Sequence, residues 1–126
     1  MDKTQEEQTL FIGGSRGFVS YHLLCRTIAY LVKIGVLKDT FTIVSGGARG
    51  ADTLAREYAE INGLKFIEFK ARWDLYGKSA GFKRNKTMVD VSDICLFFWD
   101  GVSKGTKHAL DYAYKQNPDN TFILLY

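Results

Sequence analysis

Apolar and polar positions along this chain switch repeatedly between a strand period and a helix period. Thr9 to Ile12 is an apolar run of strand length, a glycine-rich turn follows, and from Ser20 to Ile34 apolar residues recur on almost every face of a helix. Phe41 to Val44 forms a second, β-branched and aromatic strand, after which Ala51, Leu54, Ala55, Tyr58 and Ile61 mark one face of a helix that Asn62-Gly63 would end. Lys65 to Phe69 alternates apolar and charged, as an edge strand does, and a loop rich in Trp, Tyr, Gly and Lys leads to a helix from about Ala80 to Val89. Ile94 to Trp99 is the most hydrophobic strand. A helix from Gly105 to Gln116 stops near Asn117-Pro118, and Thr121 to Tyr126 supplies a fifth strand.

Strict alternation of strand and helix, joined by right-handed crossovers, predicts an α/β fold: a three-layer, Rossmann-like parallel sheet of five strands with helices on both faces. The expected strand order is 3-2-1-4-5, which places a topological switch between the first and fourth strands, where open α/β sheets bind ligands. Three turns then lie side by side: Gly13 to Phe18, Ser45 to Asp52 and Asp100 to Thr106. They hold eight of the 12 glycines in the chain. Residues 1–8 are expected to be a flexible start and residues 9–126 one domain.

Composition narrows the class further. A chain of 126 residues, 46% hydrophobic and 25% charged, can bury one core. No apolar run reaches the roughly 18 residues of a membrane span, and Met1 to Gln8 lacks the apolar core of a signal peptide, so a cytoplasmic protein without a membrane partner is expected. Cys25 and Cys95 sit within apolar segments and read as small hydrophobes. No metal site is expected, because two Cys and two His show no ligand spacing. The formal charge of +3 is mild, but Lys65, Lys70, Arg72, Lys78, Lys83, Arg84 and Lys86 face only Glu68 and Asp74 in one stretch, which suggests an anionic ligand.

The glycine turns carry the candidate chemistry. Ser45-Gly46-Gly47-Ala48-Arg49-Gly50-Ala51-Asp52 follows a strand and opens a helix, where backbone N–H groups and the helix dipole favour an anion. Asp52 would then meet a ribose hydroxyl or the helix N–H groups, with Arg49 facing the charge. The alternative is a tight turn with Asp52 as its cap. Asp100-Gly101-Val102-Ser103-Lys104-Gly105-Thr106 repeats the arrangement, with Ser103 as N-cap and the Ser103 and Thr106 hydroxyls available to phosphate. No segment supplies the Walker pattern needed for Mg-dependent triphosphate hydrolysis. Gly13-Gly14-Ser15-Arg16-Gly17 matches the G-x-S-x-G of a nucleophile elbow, yet it ends the first strand of a short chain without the acid and His that should follow, and Arg16 suits phosphate better. Trp73 and Tyr76 could stack on a base while Lys78 meets a phosphate, or both aromatics could cover the sheet edge. His22 and His108 lack partners that would make them catalysts.

Taken together, Gly14-Ser15-Arg16, the Ser45 to Asp52 turn, Trp73 with Tyr76-Gly77-Lys78 and Ala80-Gly81, Arg84-Asn85 with Met88, and Phe98-Trp99-Asp100-Gly101 with Ser103, Gly105-Thr106 and His108 resemble the YspA/YpsA-related branch of the SMF/DprA and LOG (SLOG) superfamily. The resemblance spans about residues 9 to 126 and implies a Rossmann-like domain that binds nucleotides or their derivatives. LOG proteins cleave the N-glycosidic bond of cytokinin nucleotides with a Glu in P-G-G-x-G-T-x-x-E; aligning Gly105-Thr106 with that G-T puts Ala109 at the Glu position, and Asn85 replaces the Lys of the LOG R-K pair.

The function expected is therefore sensing or sequestering of a phosphorylated, nucleotide-derived molecule such as an NAD or ADP-ribose derivative, with no cofactor required. Gly14, Ser15, Arg16, Ser45, Gly46, Gly47, Arg49, Gly50, Asp52, Trp73, Lys78, Arg84, Asn85, Asp100, Ser103, Gly105 and Thr106 are the expected ligand-binding residues, with Asp52 and Asp100 as the carboxylates that could assist glycosidic or phosphate cleavage. Single-stranded nucleic acid is a further alternative, as in DprA proteins. A homodimer or higher homo-oligomer is expected because the first helix carries apolar residues on more faces than one sheet covers.

Overall fold

A computed structural model describes residues 7–126. Its sheet contains β1 (Gln8–Gly14), β2 (Phe41–Ser45), β3 (Phe66–Glu68), β4 (Ile94–Trp99) and β5 (Thr121–Leu125), all parallel, in the order β3-β2-β1-β4-β5. Between them run α1 (Tyr21–Lys33), α2 (Ala51–Ile61), a single turn α3 (Trp73–Tyr76), α4 (Ala80–Asp90) and α5 (Lys104–Gln116). The Rossmann-like class is the one read from the alternation of periods, and the strand order is the one expected of a dinucleotide-type arrangement. Of the expected flexible segment 1–8, residues 1–6 lie outside the described residues. Gln8 belongs to the sheet, because its side-chain amide bridges the Lys38 N–H at 2.6 Å and the Val36 carbonyl at 3.3 Å.

Period-two alternation in the central strands sorts the core into two halves. Leu10, Ile12, Ile43, Ile94, Leu96 and Phe98 point to the side covered by α1 and α2, whereas Phe11, Val44, Cys95 and Phe97 point to the side covered by α4 and α5. Helix α1 starts where the Ser20 hydroxyl accepts the Leu23 N–H at 3.1 Å, and it buries Leu24, Ile28 and Leu31 as one stripe. Helix α2 presents Ala51, Ala55 and Ala59, a stripe of small residues that lets it lie close to the sheet. Burial pushes the Cys95 thiol up to about 12, so it packs as an apolar group. No helix among the described residues is long and apolar enough to cross a membrane.

Two local expectations change. The segment after β3 is helical rather than an open loop: the Leu75 and Tyr76 N–H groups both donate to the Arg72 carbonyl at 3.0 Å, and the Ser79 hydroxyl closes on the Tyr76 carbonyl at 2.9 Å, forming α3 and a 3₁₀ turn from Gly77 to Ser79. Glycine and lysine in that stretch masked the turn. The argument from α1 toward an oligomer also weakens, because Tyr21, Leu23 and Val32 pack against the same core as the buried stripe, which leaves Tyr30 on the helix and Ile34 just past its end as the large exposed apolar residues.

The turns after β1 and β2 meet with no room for a side chain. A Cβ at Gly50 would lie 2.3 Å from the Ser15 carbonyl oxygen, and Gly50 has φ +77°. Gly50→Ala is therefore expected to destabilise the fold by at least about 2 kcal/mol, seen as a thermal midpoint lowered by at least about 5 °C. An unchanged midpoint would show that the two turns separate freely.

Candidate functional site

A cleft of about 540 Å³ opens beyond the carboxyl ends of β1 and β4, at the switch point, between α4 and α5. That volume lies within the range of sites that take nucleotide-sized ligands. The β1 turn contributes Gly13, Gly14, Ser15, Arg16 and Gly17; the β4 turn and the start of α5 contribute Asp100, Ser103, Lys104, Gly105 and Thr106. Arg84 and Asn85 enter from α4, and Ala48 and Asp52 close the end nearest β2.

Ser15 ties the β1 turn to the β4 turn and is fully buried. Its N–H donates to the Phe98 carbonyl at 2.9 Å, and its hydroxyl accepts the Asp100 N–H at 3.1 Å. No non-glycine residue among those described has a positive φ, so Ser15 lacks the strained backbone of a nucleophile elbow, and no His lines the cleft. Asp100 in turn organises the next loop. Its carboxylate accepts the Val102 N–H at 2.9 Å, the Ser103 N–H at 2.8 Å and the Ser103 hydroxyl at 2.7 Å. These donors, the Ser103 hydroxyl foremost, hold the carboxyl well below its usual range, at about 2. A carboxylate so held stays ionised and is a poor proton donor.

Because the Ser103 hydroxyl is turned toward Asp100, it does not cap α5 as expected. The first turn of this 13-residue helix carries no side-chain cap, and its Lys104, Gly105 and Thr106 all line the cleft. A helix start of this kind offers N–H groups and positive potential to an anion. Nothing lies within 4 Å of a Cβ placed on Gly105, so the approach to that backbone is open. The Asn85 side chain, buried, reaches the Gly105 carbonyl at 3.5 Å and fixes the helix start against α4.

The β2 turn differs from the expected phosphate cradle. Asp52, 8% exposed, turns its Oδ2 onto the Ala48 N–H at 2.9 Å, so the protein's own carboxylate occupies the turn. Burial raises the Asp52 carboxyl above its ordinary range, opposed by the Ala48 N–H, the Ser45 hydroxyl and the Arg84 charge. Glu68 lies over Gly47, where a Cβ would fall 2.5 Å from its Oε2, and Arg56 pairs with Glu68 from outside. Ser45, Gly46, Gly47, Arg49 and Gly50 lie outside the cleft lining. Ser45 is fully buried and donates to the Ile12 carbonyl at 3.0 Å, and Arg49 is exposed. Trp73, 59% exposed, and Lys78 also lie outside the lining, on α3 and the 3₁₀ turn after it.

The cleft has an apolar floor of Phe11, Met88, Phe97 and Ala109, core residues each at most 4% exposed, with the Phe11 and Phe97 rings edge to face at 5.2 Å. Their signal was the alternation of β1 and β4, which points Phe11 and Phe97 away from Leu10 and Ile12. Lys104 was missed by pattern reading, since a lysine opening a helix has no distinguishing spacing. His108 stacks on Phe82 with ring centroids 4.0 Å apart, and burial lowers the pKa of its imidazole.

The family model described as YAcAr, the YspA, cpYpsA-related SLOG family, matches residues 9–76, more than half of the chain. The chain belongs to this family. Membership of the SLOG family suggests a nucleotide-related binding or processing role. The matched segment includes the β1 and β2 turns and stops before the β4 turn and α5. The Gene 61 protein of Mycobacterium phage D29 is 41% identical over 81 residues, a stretch covering 58% of this chain and 63% of that protein, which is less than two thirds of the relative. No solved structure matches.

The Asp100 carboxyl gives a pH signature. Its folded value lies below the ordinary one, so the stability it contributes is fully present above about pH 4 and is lost as pH falls toward 2. Asp100→Asn is expected to be less stable than the native chain at pH 7, with the gap narrowing between about pH 4 and 2 in denaturant titrations. A gap independent of pH would remove the carboxylate from the loop's support.

Proposed function

We propose that this protein binds a phosphorylated, nucleotide-derived molecule of the NAD or ADP-ribose type in the cleft, and senses or sequesters it rather than turning it over. The observation that carries this reading is the open, uncapped start of α5, flanked by Arg16, Lys104 and Arg84 and set beside an apolar floor. Phosphate oxygens accept the α5 N–H groups and the charge-assisted bonds of the cations, while the base or ribose fills the rest of the cleft. Binding by these groups needs no divalent metal.

The carboxylates favour binding over cleavage. Asp100 is held ionised by three donors, and Ala109, 4% exposed, presents a methyl to the cleft where the LOG resemblance places a catalytic Glu. Asp52 alone supports a second reading, glycosidic cleavage, because burial keeps its carboxyl easier to protonate.

Calorimetry in EDTA with AMP, NAD and ADP-ribose is expected to show saturable binding by at least one of them, with a shallow salt dependence that separates it from single-stranded nucleic-acid binding. Arg16→Ala and Lys104→Ala should each weaken binding about tenfold through the loss of a charge-assisted contact. Gly105→Val, built into open space, should keep stability within about 1 kcal/mol while weakening binding comparably. Binding that requires a divalent metal, or repeated turnover abolished by Asp52→Asn, would replace this reading with an enzymatic one.

A further inference from the structure

A second, smaller cavity of about 250 Å³ lies on the far side of Arg84, bounded by the end of β3, by α3 and by the outer face of α4. Its lining brings together Lys70, Arg72, Lys83 and Arg84, with Tyr76 and Phe69 as apolar walls, and includes no carboxylate. Arg72 is paired with Asp74 at 3.1 Å, but Lys70 and Lys83 have no carboxylate partner among the described residues. The Lys83 ammonium lies 5.0 Å from the centroid of the Tyr76 ring, which keeps it at the wall of the cavity. Arg84 lines both cavities. Its Nη1 donates to the Gly46 carbonyl at 3.0 Å, and its Nε is buried without a partner.

We infer that this cavity is a second phosphate subsite, joined to the main cleft through Arg84. Cations that support a fold are normally matched by carboxylates; here Lys70 and Arg72 from the link between β3 and α3, and Lys83 and Arg84 from α4, line one concave space, and the two lysines have no carboxylate partner among the described residues. Phosphate suits the space better than a carboxylate, since its tetrahedral oxygens can accept from lysines that come from two different segments and from a guanidinium at once. The phosphate is either a distal group of the molecule held in the cleft or part of a separate molecule. The link to the cleft, unlike the subsite itself, rests on the reading of the cleft as a nucleotide site.

Inorganic pyrophosphate titrated into the whole protein, followed by amide chemical shifts, tests the subsite directly. Shifts are expected at residues 69–72 and 80–87, and Lys70→Ala combined with Lys83→Ala should weaken that response about tenfold or more while leaving any response at Gly105 and Thr106 in place. No shift at residues 69–72 and 80–87 up to about 10 mM pyrophosphate, or shifts undiminished in the double variant, would overturn the proposal. A failed cleft reading shows separately, as silence at Gly105 and Thr106. The two sources separate when a nucleoside monophosphate is compared with a bisphosphate. If one molecule spans Arg84, the bisphosphate binds more tightly and the double variant erases that gain; if two molecules bind, monophosphate and pyrophosphate occupy the protein together. Either result supports the subsite.

Discussion

Gly14 and Gly50 stand where a methyl group has nowhere to go. A Cβ on Gly14 would lie 2.5 Å from the Phe98 carbonyl oxygen, and one on Gly50 would lie 2.3 Å from that of Ser15. These two absences let the turns after β1, β2 and β4 close on one another. Only at that separation does the Ser15 hydroxyl reach the Asp100 N–H, and only then is the loop before α5 pinned at its base. Asp100 gathers the Val102 and Ser103 amides, and the direction in which α5 aims its first turn follows. The electrostatic character of the cleft thus depends on contacts made by residues that hold no charge.

The same glycine-rich pattern therefore serves two ends. In the β2 turn, the groups that could receive a phosphate are taken by Asp52 and overlaid by Glu68, so the glycines there make packing possible. In the β4 turn, the carboxylate sits outside the helix start and leaves it open. One carboxylate thus lies within its turn and the other before its helix, so the two turns differ in how far the approach to their backbone is covered.

This difference explains what the sequence could and could not reveal. The two-sided core follows from hydrophobic period, which is a local property, whereas strand order and the switch point follow from the dinucleotide-type arrangement that strand–helix alternation suggests; the ends of β4 and α2 are visible in an apolar run and in Asn62-Gly63. The site was legible as three turns, and Ser15, Arg16, Arg84, Asn85, Gly105 and Thr106 do line one cleft. What spacing could not show is which N–H groups are already satisfied, because Glu68 meets Gly47 only across the sheet. Nor could it place Trp73 and Lys78, whose helical turn carries them away from the cleft. Phe11 and Phe97 are core by the alternation of β1 and β4 and also back the cleft, and a residue at the end of a buried strand has the same signature whether a helix or a cavity faces it.

Asp52 and Arg84 line the same cleft, and a Cβ placed on Gly46 would fall 3.2 Å from the Asp52 Oδ2 and 3.1 Å from the Arg84 Nη1. A carboxylate and a guanidinium held that near each other cancel much of each other's field at a distance, so the net charge that this part of the trough shows to its surroundings turns on whether the Asp52 carboxyl carries its proton.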